Sequence, residues 1–234
     1  MPTKIEWTDE TWNPVTGCTP VSPGCANCYA LRLAPRLQAM GQVRYARGTE
    51  VTGHWDALYD LRILSPRRRP RMIFTCSMSD LFHERVSEDL IAGIFEAMAF
   101  ARQHTFQVLT KRPHRALGLA ESLHWPPNLW LGASIENADF LHRVPPLLSL
   151  PVPVHFLSLE PLLGPIPNLR LQGIDWVIVG GETGPGKRPM AVDWPRQIRD
   201  QCIAAGVPFF FKRWGHLQGL EARLLDGRTW EERP

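Results

Sequence analysis

Three cysteines, Cys18, Cys25 and Cys28, fall within eleven residues of a stretch reading GCTPVSPGCANCYA. Thiolates spaced Cys-x6-Cys-x2-Cys can hold a metal ion or an iron–sulfur cluster on one loop. Gly17, Pro20, Pro23 and Gly24 let that loop fold back and aim its sulfurs at one point. No His or fourth Cys follows within ligand-loop distance. Three protein donors leave one coordination position open, as reactive centres do more than structural clips. The isolated Cys76 and Cys202 read as small buried residues.

The elements that must carry this loop follow from the rest of the chain. With 234 residues and 44% hydrophobic content, it can bury one substantial core. Barrels of roughly 200–250 residues are commonly single domains. Short apolar runs at 72–76, 105–110, 129–134, 154–159, 176–180 and 208–212 read as buried strands. Helical patterns fall between most of them, at 88–98 behind a Ser87 cap, 113–123, 137–148 and 194–205. A further short strand at 12–16 and a helix at 29–40 flank the cysteine loop. Near-continuous apolar strands alternating with helices predict an α/β fold with a parallel sheet. Six or seven such units predict a complete or partial TIM-like (β/α) barrel, with an open doubly wound sheet as the alternative. The expected layout is one barrel over 1–216, with the cysteine loop at 17–29 and an irregular excursion at 41–69, then a C-terminal tail at 217–234.

The composition narrows the setting. A formal net charge of +3 is too small to argue for nucleic acid by itself. The run Arg67-Arg68-Arg69-Pro70-Arg71 reads first as a solvated loop before a strand, with a phosphate-binding patch as the alternative. An odd cysteine count, three of them on one loop, fits a reducing compartment better than a disulfide framework. The first residues lack an apolar signal core, and no stretch reaches the ~18 apolar residues needed to span a bilayer. A cytoplasmic protein is expected, with no membrane partner.

Polar residues collect after the predicted strands, where barrels place their chemistry. They are Ser77, Ser79 and Asp80; Lys111 and Arg112; Ser134, Glu136 and Asn137; Ser158 and Glu160; Gly180 to Thr183; and Lys212, Arg213 and Trp214. Capping competes as an explanation for Ser79, Ser87 and Asn137. It explains Lys111, Arg112, Lys212 and Arg213 less well, because cations oppose the dipole at a helix N-terminus.

Taken together, these stretches resemble the phage-associated branch of the radical S-adenosylmethionine (SAM) superfamily. The resemblance rests on Trp12-Asn13-Pro14, Gly17-Cys18, the run from Ser22 to Ala30, Ser77-Met78-Ser79-Asp80-Leu81-Phe82-His83 and Leu109-Thr110-Lys111-Arg112-Pro113. It continues through Gly132 to Asn137, Ser158 to Gly164, Gly180 to Gly184 and Phe211 to Gly215. The superfamily's usual signature is Cys-x3-Cys-x2-Cys; this chain keeps the final Cys-x2-Cys and its following aromatic, Tyr29, with a longer first gap.

The resemblance implies that Cys18, Cys25 and Cys28 ligate three irons of a 4Fe–4S cluster whose fourth iron chelates SAM. It implies reductive cleavage of SAM to a 5′-deoxyadenosyl radical that acts on a substrate. A nucleic acid or nucleotide is the expectation for that substrate, with a peptide left open, and a flavodoxin- or ferredoxin-like electron donor is expected. Ser134 and Glu136 are expected at the SAM ribose or amino group and Glu160 at the adenine, with Tyr29 in the same cofactor-binding set. Asp80, Lys111, Arg112, Lys212 and Arg213 are expected to meet the substrate. Gly180-Gly181-Glu182 matches the superfamily's methionine-binding Gly-Gly-Glu by letters, but it comes too late in the chain and is taken as a coincidence. His83 beside Glu84 is expected as a loop-surface pair, with proton donation as the alternative. Trp130 and Trp176 are expected in packing, and Trp214 stacking on a base or adenine. Two other classes stay open: a zinc or iron–sulfur module without catalysis, completed by a distant His, and a nucleic-acid-binding protein.

Overall fold

The computed structural model describes residues 3, 5–65 and 68–234. In chain order the elements are β1 (Glu10–Trp12), β2 (Val15–Thr16), α1 (Tyr29–Ala39), β3 (Thr52–Gly53), α2 (Leu61–Leu64), β4 (Met72–Thr75), α3 (Glu88–Phe100) and β5 (Thr105–Thr110). They continue with α4 (Pro113–Gly118), β6 (Leu129–Ser134), α5 (Val144–Leu148), β7 (Val154–Leu159), β8 (Trp176–Gly180), α6 (Asp193–Ala205) and β9 (Phe209–Arg213).

Seven strands form one sheet in the order β1-β4-β5-β6-β7-β8-β9, and every pairing is parallel. Each strand joins the same growing edge. All crossovers then share one hand, so the helices cover one face while the other curls inward. The order never reverses, which excludes the doubly wound alternative. β1 and β9 remain the two edges among the described residues, so the barrel is partial.

The pleat sorts neighbouring side chains into two cores. Ile73, Val177 and Val179 point to the helix side, where Leu90, Ile94 and Met98 of α3 also lie. Phe74, Trp176, Ile178 and Phe210 point inward with Phe156 and Trp7. Both faces are buried, which is why the strands read as continuous apolar runs. The inner rings meet mostly edge-on, Trp7 on Phe74 at 4.7 Å and Trp176 on Phe210 at 6.0 Å. Gly132 makes room for this cluster, since a Cβ there would enter the Phe156 ring.

Helix boundaries follow their local signals. Ser87 Oγ accepts from the Leu90 N–H at 3.3 Å, with Glu88 and Asp89 in the first turn. The expected helix at 137–148 is instead a 3₁₀ turn, Ala138–Arg143, followed by the short α5. Pro145 and Pro146 lack N–H donors and are tolerated only in a first turn. The expected strand at 12–16 divides at Pro14: β1 joins the barrel, whereas β2 pairs antiparallel with β3. The excursion at 41–69 therefore returns a strand to the start of the cysteine loop. Arg67 lies outside the described residues; Arg68 pairs with Glu10 at 2.5 Å.

Residues 217–234 pack on β9. Ala222, Leu225 and Trp230 are buried, Phe211 N–H donates to Trp230 O at 2.9 Å, and Phe210 bridges antiparallel to Glu231. They cover an edge that would otherwise present unpaired backbone groups. Among the described residues no helix is long and apolar enough to cross a membrane.

Candidate functional site

The C-terminal ends of the strands open on a cavity of about 630 Å³. Cys18, Cys25 and Cys28 all line it, each half-buried, and all five cysteines are free thiols. Gly17 starts the loop at φ 79°, where a side chain would strike the backbone of Glu50. A 3₁₀ turn, Pro23–Cys25, carries the second cysteine. Cys25 N–H donates to Ser22 O at 2.9 Å and Cys28 N–H to Cys25 O at 3.2 Å, so one tight turn leads into Cys25 and the next spans the Cys-x2-Cys spacing. Cys28 then becomes the N-cap of α1.

Successive parts of this loop are tied to different strand ends. Cys18 N–H donates to Thr49 O at 3.2 Å, and the Arg112 guanidinium approaches Cys18 Sγ at 4.0 Å. Arg112 also donates to Thr19 O at 3.2 Å. His83 accepts from the Arg85 N–H at Nδ1, which leaves Nε2 protonated to donate to Thr19 Oγ1 at 2.8 Å. Burial, and then the charge of Arg112, hold His83 below its ordinary pKa, in keeping with this neutral tautomer. Ser22 Oγ donates to Glu136 Oε1 at 2.5 Å. Arg188 donates to Pro23 O at 2.9 Å, and Asn27 Nδ2 donates to Glu182 Oε2 at 2.9 Å. Tyr29 Oη donates to Ser77 O.

The acids behind these ties are committed. Asp80 Oδ1 accepts from Thr110 Oγ1 at 2.7 Å and from the Phe82 N–H at 3.0 Å. Its Oδ2 accepts from the Lys111 N–H and from Arg112 Nη1, both at 3.0 Å. Arg112 spends its Nε on Glu84 at 3.0 Å. Glu136 is shared by Lys111, Ser22 and Arg143. Glu182 takes Arg188 and Asn27, and the Arg188 hydrogen bonds, followed by that of Asn27, hold its carboxyl at about 2. Lys212 pairs with Glu160 at 2.6 Å, and Arg213 pairs with Glu6. Lys111, Arg112, Lys212 and Arg213 are the lysines and arginines of the described cavity wall, and each has a carboxylate partner.

A single metal ion needs its donors within about 2–2.3 Å of one point. Among the described residues no three His, Cys, Asp or Glu side chains form such a group. Among the described residues no His stands with the three cysteines as a preformed fourth donor of the zinc alternative. A four-iron cluster makes a different demand, because each thiolate binds a separate iron at a separate corner. Three thiols on one braced loop, all lining one cavity, are the donor type such a cluster takes. Burial pushes the Cys18 thiol up to about 11, Asp80 adds to it and Arg112 opposes it, so without metal this sulfur carries its proton at neutral pH.

Residues 2–234 match the family described as Protein of unknown function (DUF5131). The chain belongs to the DUF5131 family. No curated protein matches it. Among solved structures, it is similar to a spore photoproduct lyase mutant with bound AdoMet and dinucleoside spore photoproduct. That likeness has 13% identity and a TM-score of 0.47, and covers 82% of this chain and 60% of the other. A spore photoproduct lyase complexed with the dinucleoside product gives 13% identity and a TM-score of 0.45, covering 80% and 58%. The chain thus spans about three fifths of the length of either neighbour.

In this DUF5131 chain the sequence-predicted residues separate into wall and brace. Cys18, Cys25, Cys28, Tyr29, Ser134, Glu160, Asp80, Lys111, Arg112, Lys212 and Arg213 all border the cavity. Glu136 does not line it; its carboxylate is turned to the cysteine loop. Asp80, Lys111, Arg112, Lys212 and Arg213, the expected substrate contacts, line the wall and are each also paired with a protein group. His83 is not a surface residue but is 3% exposed. Trp214 is buried on Phe211 at 5.1 Å, with its Nε1–H on Leu224 O at 2.8 Å, and is not free to stack on a ligand. Trp176 packs in the inner cluster with Trp130 against it, as expected. Ser22, Asn27, Thr19 and Arg188 were missed. Their partners lie far along the chain, 114 residues for Ser22 with Glu136 and 155 for Asn27 with Glu182, and no local pattern marks them.

Proposed function

We propose that this chain is a radical SAM enzyme in which Cys18, Cys25 and Cys28 ligate three irons of a 4Fe–4S cluster. The observation that carries the reading is the placement of three free thiols on one braced loop over the cavity of a partial parallel barrel. When bound, such a cluster supplies the electron that cleaves SAM reductively to methionine and a 5′-deoxyadenosyl radical able to take hydrogen from a substrate.

The chain's own residues supply position and enclosure. Ser134 and Ser158 are register partners at the ends of β6 and β7, 4% and 1% exposed, and both line the cavity. Their side-by-side hydroxyls suit the ribose diol of SAM. Glu160, held by Lys212, borders the same wall, and Tyr29 stands beside Cys28. Trp7 and Phe74 bring the inner aromatic cluster to the wall and keep water from that side. The proposed substrate remains a nucleic acid or nucleotide. Its reacting part enters uncharged, because among the described residues each lysine and arginine of the wall already has a carboxylate partner. A flavodoxin- or ferredoxin-like protein is the proposed electron donor.

The test is anaerobic reconstitution with iron and sulfide, reduction with dithionite in the presence of SAM, and assay of 5′-deoxyadenosine. Wild-type protein is expected to be brown and to form the product. Cys25→Ala is expected to lose both, and full product formation by Cys25→Ala rejects the reading.

A further inference from the structure

Glu136 is fully buried. Its Oε1 accepts from Ser22 Oγ at 2.5 Å and from Lys111 Nζ, and its Oε2 accepts from Arg143 Nη1 at 2.9 Å. Arg143 is 3% exposed; it also donates to Ser134 O at 2.7 Å and lies 4.4 Å over the Phe140 ring. The Glu136 carbonyl accepts from the Leu163 N–H at 2.7 Å, and the Ile135 N–H donates to Ser158 O at 3.0 Å. The acid is therefore mounted rigidly between the ends of β6 and β7. It cannot swing into the cavity without stranding a buried guanidinium. On its free side lies the cysteine loop: at Gly24 a Cβ would stand 2.6 Å from Glu136 Cγ and Oε1.

We propose that Glu136 is a positioning residue that presets the Ser22–Gly24 turn, so that Cys25 stands at the cavity wall before any metal arrives. The carboxylate draws the turn in through the Ser22 hydroxyl, and Gly24 permits the close approach. Metal-binding energy is then not consumed in ordering the loop, unlike in domains that fold only around their ion. The iron readout below rests on the proposed cluster; the loop readout does not.

The experiment uses the full chain, prepared metal-free and anaerobic, as wild type, Glu136→Gln, Ser22→Ala, Ser22→Thr and Gly24→Ala. Ser22→Ala breaks the tie from the loop side and leaves the buried acid with both its cations, so it tests the idea even if Glu136→Gln fails to fold. Amide hydrogen exchange is followed at Cys25, Ala26 and Cys28, and iron per chain is measured after reconstitution at limiting iron. Wild type is expected to show protected loop amides without metal. Ser22→Ala and Gly24→Ala are expected to speed their exchange by about tenfold or more and to lower bound iron, with β6 and β7 amides unchanged. Ser22→Thr, which keeps the hydroxyl, is expected to restore protection. Unprotected loop amides in metal-free wild type, or exchange indifferent to all the substitutions, overturns the proposal. So does Ser22→Thr behaving like Ser22→Ala. Wild type that takes up no iron while its loop amides are protected counts against the cluster and still supports the positioning role.

Discussion

Asn27 donates its side-chain amide to Glu182 Oε2 at 2.9 Å, which joins the Cys25–Cys28 turn to the loop after β8 across 155 residues of chain. The same carboxylate receives Arg188, whose guanidinium also reaches Pro23 O at 2.9 Å. One buried acid thus fixes two points of the cysteine loop.

The first prediction concerns acid. Arg188 and then Asn27 hold Glu182 at about 2, against an ordinary value of 4.5. A depressed carboxyl stabilises the folded state fully above its unfolded value, and that contribution is lost as pH falls through the folded one. Urea melts of wild type should therefore lose on the order of 2 kcal/mol from this group between about pH 4.5 and 2. Glu182→Gln should be less stable at pH 7 and flatter across that window. Parallel pH profiles for the two proteins would reject the pairing.

Arg112 carries the second prediction. Removing its guanidinium leaves the buried Asp80 carboxylate without its cation and takes from Thr19 the bonds of Arg112, leaving that of His83. Arg112→Met should cost about 3–5 kcal/mol in urea unfolding. Arg112→Lys should not rescue it, since one ammonium cannot reach Asp80, Glu84 and Thr19 together. Wild-type stability in Arg112→Lys would show that the forked geometry is unimportant.

Inside the barrel, Gly132→Ala pushes a methyl into the Phe156 ring. Overpacking of this kind costs about 1–3 kcal/mol. Phe156→Leu should recover part of the loss in Gly132→Ala, and a double-mutant cycle gives the coupling. Strict additivity of the two changes would mean that they do not share the space.

The chain end gives the fourth. Trp230 is 8% exposed beneath Arg228, whose guanidinium lies 3.4 Å from its ring, and its carbonyl accepts from Phe211. Deleting residues 229–234 uncovers the β9 edge, and light scattering should show concentration-dependent association on warming that wild type lacks. A truncated protein that stays monodisperse and melts like wild type would contradict the role given to this segment.

The sequence determined much of the frame. Buried strands show as runs such as Trp176–Gly180 because both faces of a parallel sheet are apolar, and Ser87 with Glu88 and Asp89 marks the start of α3 by backbone chemistry alone. The three cysteines are legible because their spacing is local. That polar residues gather at the strand ends was legible too, since strand direction fixes which end each residue occupies.

What each of those residues does was decided by tertiary structure alone. Glu136, Lys111 and Arg112 read as ligand contacts from their positions, yet they meet the cysteine loop, because curling the sheet brings β5 and β6 under residues about 90–110 positions earlier. A charge buried at that junction needs a partner, and the nearest groups were protein rather than solvent. The same curling drew Glu6 onto Arg213. Periodicity carries burial and element type; which side chain meets which depends on how the sheet curves, a property of the whole chain.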